Sequence, residues 1–293
     1  MHPDLVQGVR PIKAVGQLSN VITIGSTSVD SFVRKRMNSK ENTAGGPCAD
    51  MHRSTSTVIR IPSIIPPNFL QKLCVHYRKA RLRALQTDPS AFSSTYEREV
   101  QFQDNDWIKR LLNPLAQSFV ALVKSDNLSP AGNSIWDESD KSSKSGVDHD
   151  HLQLLSENEW AGMIVLMGPK VLAVDGSESG NPLNAFHSMG AAEAPDAVSF
   201  AGRELAYIAA SMFVLPEARR QGIGRRLIAE SWQAVKKDAM ALSALKLNIC
   251  LLVAGENEPA IQLYRTCGFD ILPGNLGLEN KSTTVAMVKM TEL

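Results

Sequence analysis

The chain has 293 residues, 43% of them hydrophobic and 21% charged, with a formal net charge of +1. That supplies core for one decorated domain or two small ones, and so even a charge balance excludes a general electrostatic attraction to nucleic acid or anionic membrane. No apolar run reaches the roughly 18 residues of a membrane helix, and Cys48, Cys74, Cys250 and Cys267 are scattered without C-x-x-C spacing, which reads as reduced thiols rather than a disulfide framework or zinc site.

Residues 1–57 show no sustained period and are expected to form a disordered extension. Arg10, Lys13, Arg34, Lys35 and Arg36, with few acids among them, would also suit a mitochondrial transit peptide. The plain extension is the commoner explanation, so a cytoplasmic location is expected, with the nucleus open. A first strand is expected at 58–61. A helix follows over 69–85, where Phe69, Leu73, Tyr77, Leu82 and Leu85 draw one apolar stripe and Asn68 is placed to cap it. Arg78, Lys79, Arg81 and Arg83 read as its solvated face. Asp88-Pro89 ends that helix. One more helical stretch is expected over 95–112, then a strand at 119–123.

Residues 126–158 are serine-rich and charged, and read as a flexible insertion; 175–202, punctuated by Gly176, Gly180, Pro182, Gly190 and Pro195, read as a second. A buried strand at 160–167 separates them. From there the pattern sharpens: strand 205–214, a turn at 216–224, helix 225–240, strand 245–253, helix 259–267 and strand 284–290. This order implies an α/β, layered α+β arrangement with helices packed on a sheet.

The turn carries the chemistry. Between Val214 and Leu227 a strand ends and a helix begins, with Pro216, Arg219, Arg220, Gln221, Gly222, Ile223, Gly224 and Arg225 in between. Gly222 and Gly224 permit left-handed backbone and close approach of a ligand. The intervening amides can converge at a helix N-terminus, an arrangement that favours a diphosphate. A glycine turn ahead of an amphipathic helix is the plain structural alternative. A dinucleotide loop would need a third glycine where Leu227 stands, and its ribose-binding acid would have to be Glu256, which is too far along the chain.

These residues resemble the GCN5-related N-acetyltransferase (GNAT) superfamily. The signature loop R/Q-x-x-G-x-G/A after a V-x-P strand is matched by Val214, Pro216, Arg219, Gly222 and Gly224. The motif N-x-x-A-x-x-L-Y-x-x-x-G-F is matched by Asn257, Ala260, Leu263, Tyr264, Gly268 and Phe269. A softer likeness runs from Arg83 through Glu99. The resemblance spans about 58–293 less the two insertions.

It implies a mixed sheet that splays between the strands at 205–214 and 245–253, with acetyl-CoA in the splay. The pantetheine arm would pair with the backbone of Met212 and Val214. The pyrophosphate would lie on Arg219, Arg220, Gln221, Gly222, Ile223 and Gly224 with Arg225 near, and Asn257 would touch the arm. No metal is implied.

Tyr264 is then the candidate acid for the departing thiolate; a buried core aromatic is its structural alternative. The base is harder to find. Glu204 opens its strand and is either a base acting through water or a surface acid; otherwise the base comes from elsewhere, or an acceptor amine of low pKa needs none. Glu97 and Glu99 would either greet a cationic acceptor or alternate on an exposed helix. His149 and His151 are too few for a metal site. The activity implied is acetyl transfer to an amine acceptor by a monomer or homodimer. A non-catalytic acyl-CoA-binding module and an interaction protein working through its extension and loops are the alternatives.

Overall fold

The computed structural model describes residues 56–123, 144–172, 182–186, 200–272 and 284–293. The expected extension (all but its last two residues), the first part of the insertion at 126–158 and most of that at 175–202 lie outside them.

Seven strands form one mixed sheet in the order β1-β2-β3-β4-β5-β7-β6: β1 (Ser56–Arg60), β2 (Ala116–Val123), β3 (Trp160–Val171), β4 (Glu204–Val214), β5 (Lys246–Ala254), β6 (Asp270–Ile271) and β7 (Thr284–Glu292). Every pairing is antiparallel except β4 with β5, which are parallel and joined by the crossover helix α5 (Ile223–Ala241). On the other face of β1–β3 lie α1 (Pro67–Thr87), α3 (Asp104–Leu111) and α4 (Lys144–Glu157). The short α2 (Tyr96–Glu99) leads into α3, and α6 (Glu258–Thr266) follows β5.

The period-two alternation of β4 sets these layers. Leu205, Tyr207 and Ala209 pack with Leu227, Ile228, Trp232 and Val235 of α5. Ala206 and Ile208 face the opposite side, beneath Leu183 and Phe186 of a 3-10 turn at Pro182–Phe186. Trp232 is thus a core residue, with the Lys289 ammonium 4.4 Å above its ring.

Several elements differ from what the pattern predicts. Helix α1 begins two residues early, with Pro66 at the N-cap position and Pro67 in the first turn, so Asn68 is inside the helix. The stretch expected as one helix at 95–112 is two. The Thr95 hydroxyl caps α2, and the chain restarts where the Gln103 N–H donates to Asp106 Oδ2 at 3.1 Å. Part of the first insertion is helical: α4 docks on α1 through Leu152 and Leu155, both buried, with His149 edge-on to Phe69. His149 and His151 therefore sit on a packed helix, and His187 lies outside the described residues.

Candidate active site

The sheet opens where the sequence resemblance puts the splay. The β4–β5 ladder runs from Glu204↔Lys246 to Ile208↔Cys250 and stops. Each strand then follows its outer partner: β4 reaches Val214 against Gly162 of β3, while β5 reaches Ala254 against Thr284 of β7. Between them a wedge separates residues 209–214 from 251–254. The divergence is marked by an extra residue in β4, where Met163 pairs with Phe213 but Val165 with Ala210, and Ser211 takes a φ of 49°. Such a bulge re-aims the strand and leaves backbone out of the ladder.

At the outer end of the wedge, β4 gives way to a 3-10 turn at Pro216–Ala218 and then to α5. Arg220 and Gly222 both lie in left-handed backbone, with φ of 67° and 79°. A Cβ on Gly222 would meet nothing within 4 Å, so the turn geometry rather than crowding calls for glycine there. At Gly224 the reason is proximity: a Cβ would lie 3.1 Å from Leu263 Cδ2 and 3.3 Å from Met212 Cε. The first backbone bond of the helix is Arg226 N–H to Gly222 C=O at 3.0 Å, and among the described residues no backbone acceptor takes the N–H groups of Arg220 to Arg225. The first turn of α5 has no acidic residue. Arg225 is exposed beside it, whereas Arg226 is turned back to the carbonyl and hydroxyl of Ser56. A cradle of unpaired amides at a positive helix end fits a diphosphate.

Arg219 is placed differently from its neighbours. Its own N–H is used, donating to Pro216 C=O at 3.2 Å. Its guanidinium turns inward: Nε donates to Val214 C=O at 2.9 Å, Nη2 to Asp88 Oδ2 at 2.5 Å, and the group lies 5.7 Å from the Phe213 ring centre. The arginine of the signature thus ties the cradle to the end of α1, where Asp88 is the C-cap.

At the inner end sits Tyr264, on α6 and fully buried. Its hydroxyl donates to Met212 Sδ at 3.4 Å, and its ring is edge-on to Phe269, 5.4 Å away. Burial pushes its pKa well above the ordinary phenol range, with the nearby Cys267 adding to the rise. The phenol therefore keeps its proton throughout the neutral range. Asn257, 1% exposed, is the N-cap of α6, its Oδ1 accepting from Ala260 N–H at 3.2 Å. That bond fixes the start of the helix that presents Tyr264.

The fold therefore brings Met212, Val214 and Tyr264 up to the cradle 220–224 with Arg225 beside it, while Asn257 is placed as the cap of the helix that carries Tyr264. It does not bring Glu204 to them. Glu204 pairs with Lys246 at 3.7 Å at the far end of β4, and eight residues of extended strand put it on the order of 25 Å from Met212.

Glu99 is neither exposed nor available to an acceptor. It is completely buried, taking two bonds from Arg81 (3.0 and 2.8 Å) and one from Arg110 (2.8 Å). Arg81, expected on a solvated face, is 8% exposed. Burial alone would raise the Glu99 pKa, but Arg81 and Arg110 outweigh it and hold the carboxyl at about 2. Asp88 and Met212 are the contributors whose side-chain roles the sequence pattern missed; Asp88 read only as a helix breaker.

The family model of the acetyltransferase (GNAT) domain matches residues 188–271, the stretch that contains β4, the cradle, α5, β5 and α6. No curated protein matches the chain. Similar solved structures include NAA60 of Arabidopsis thaliana in complex with acetyl-CoA, with 16% identity, 82% of this chain and 99% of that one covered and a TM-score of 0.39. Spermidine N-acetyltransferase from Vibrio cholerae, in complex with CoA and spermine, has 13% identity, covers 81% and 95%, and has a TM-score of 0.36. An acetyltransferase of the GNAT family from Streptococcus pneumoniae has 10% identity, covers 81% and 100%, and has a TM-score of 0.38. Likenesses this distant say nothing about the acceptor; the assignment rests on the domain match and on the strand, cradle and helix inside it. Residues 188–271 thus match the acetyltransferase (GNAT) domain, and the cradle and Tyr264 both fall inside that match.

Proposed function

We propose that this protein transfers the acetyl group of acetyl-CoA to a primary amine by direct attack within a ternary complex. What carries the reading is the placement of Tyr264, a buried hydroxyl at the inner end of a sheet cleft whose outer end is a cradle of unpaired amides. The amides of Arg220 to Gly224 hold the pyrophosphate, with Arg225 beside them. The arm runs along the open edge of β4 as an added strand would.

Acetyl-CoA supplies an acyl group activated as a thioester. The amine nitrogen bonds to the acyl carbon, the carbon–sulfur bond breaks, the sulfur gains a proton and the nitrogen loses one. The chain contributes a donor to the carbonyl oxygen from the bulged backbone between Ser211 and Val214. Tyr264 points its O–H at the departing sulfur, which finally takes its proton from the water that receives the amine's. A thiol has a pKa near 8.5 and burial has raised the phenol above its usual value near 10, so complete transfer is uphill by more than about 2 kcal/mol. Tyr264 therefore acts as a hydrogen-bonding donor as the sulfur leaves, and never as a free phenolate at neutral pH.

No carboxylate is assigned as base, because Glu204 and Glu99 are both committed elsewhere. The acceptor then arrives as an amine already partly neutral at the working pH, or gives its proton to water. Replacing Tyr264 with Phe tests the assignment: kcat should fall while CoA affinity holds within about twofold. Undiminished turnover in that variant would remove Tyr264 from the mechanism.

A further inference from the structure

The side chain of Met212 reaches from β4 to both Tyr264 and the start of α5. It is 2% exposed. Its sulfur accepts the Tyr264 hydroxyl at 3.4 Å, and its ε-methyl stands 3.3 Å from where a Cβ on Gly224 would be. The thioether thus spans the interval between the Tyr264 hydroxyl and the phosphate cradle, the interval a pantetheine arm would have to cross. It hangs from the residue after Ser211, whose left-handed backbone forms the bulge. Methionine suits such a place: it is unbranched, has three side-chain rotations, and carries a polarisable sulfur that accepts a weak hydrogen bond.

Resting on the reading of this cleft as the acetyl-CoA site, we propose that Met212 is a displaceable plug and positioning residue whose thioether holds the Tyr264 hydroxyl and hands it to the cofactor sulfur. Two consequences follow from the contacts. Entry of the arm requires Met212 to leave its rotamer, so binding reorganises this residue. The hydroxyl, which would otherwise be a buried donor without a partner, is satisfied by one sulfur before binding and by another after it. The exchange is nearly even, so Tyr264 is kept aimed into the cleft at little cost in cofactor affinity.

The test compares CoA with desulfo-CoA, which keeps the nucleotide and arm but lacks the sulfur. In the wild-type protein the two should bind within about threefold of each other, because Tyr264 merely changes partners. In Met212→Leu, a nearly volume-conserving change, the hydroxyl has no acceptor until the cofactor brings one. CoA should then be preferred over desulfo-CoA by about five- to tenfold more than in the wild type. Adding Tyr264→Phe should abolish that gain. In parallel, a methyl-13C-methionine spectrum should show the Met212 resonance shift on CoA addition.

An unchanged preference in Met212→Leu overturns the proposal. So does a Met212 signal that stays fixed while calorimetry records CoA binding; in that case the acetyl-CoA reading survives alone. A wild-type protein that binds neither ligand sinks both.

Discussion

The Arg219–Asp88 contact should prove structural, and its loss should be felt first in stability. Arg219→Ala removes a charge-assisted bond of 2.5 Å to Asp88, a 2.9 Å bond to Val214 C=O and a packing contact on Phe213. It also leaves the Asp88 carboxylate, only 5% exposed, without its cation. Breaking a buried pair from one side costs about 3–5 kcal/mol. The Arg219 side chain is 21% exposed, so about 2–3 kcal/mol is the expected loss. Lysine should not rescue it, since a point charge cannot reach a carboxylate and a strand carbonyl at once. Urea denaturation of the single variants and of the Arg219→Ala, Asp88→Ala double variant would measure this, with a coupling above about 1 kcal/mol expected. CoA affinity should fall as well, because the strut fixes the turn from which the cradle amides project. An Arg219→Ala protein within about 0.5 kcal/mol of wild type, but with lost CoA affinity, would refute the strut and return the side chain to the ligand.

Glu99→Gln should destabilise the fold by about 3 kcal/mol at neutral pH, the equivalent of holding a carboxyl near 2 instead of 4.5. Because the folded pKa is depressed, this contribution is full above about pH 4.5 and disappears as pH falls toward 2. The gap between wild type and variant in urea titrations should therefore close over that window. A gap that persists at pH 2 would show that packing, not charge, is responsible. Gly222→Ala should cost about 1–2 kcal/mol of stability for its left-handed backbone, and CoA affinity should drop alongside. Its calorimetric titration should show binding at least tenfold weaker if the cradle geometry matters.

Much of the site was legible because it is local. Strand, turn and helix follow one another within 204–241, and the glycines, the helix start and the Tyr264 motif all lie in short runs whose spacing fixes their relations. Residues far apart in sequence were not legible. Asp88 and Arg219 meet across 131 positions, and Glu99 gains its partners only when α1, α2 and α3 pack together. Charge alternation around 97–99 reads as solvent exposure until Arg81 is known to point inward. Serine and charge density likewise hid α4, which docks through Leu152 and Leu155 with Leu154 beside them. Of the two readings of Glu204, the surface acid fits its pairing with Lys246 at the far end of β4; which end of a strand lies at the site depends on where its neighbour diverges, and composition does not encode that.

The central claim is that the unpaired amides from Arg220 to Gly224 grip the diphosphate of CoA. Amide spectra of labelled protein titrated with CoA and with dephosphorylated pantetheine test it most directly. The account predicts large shifts at Arg220 to Gly224 with CoA and none at those residues with pantetheine, which lacks the diphosphate. CoA binding that leaves those five amides unmoved would contradict it.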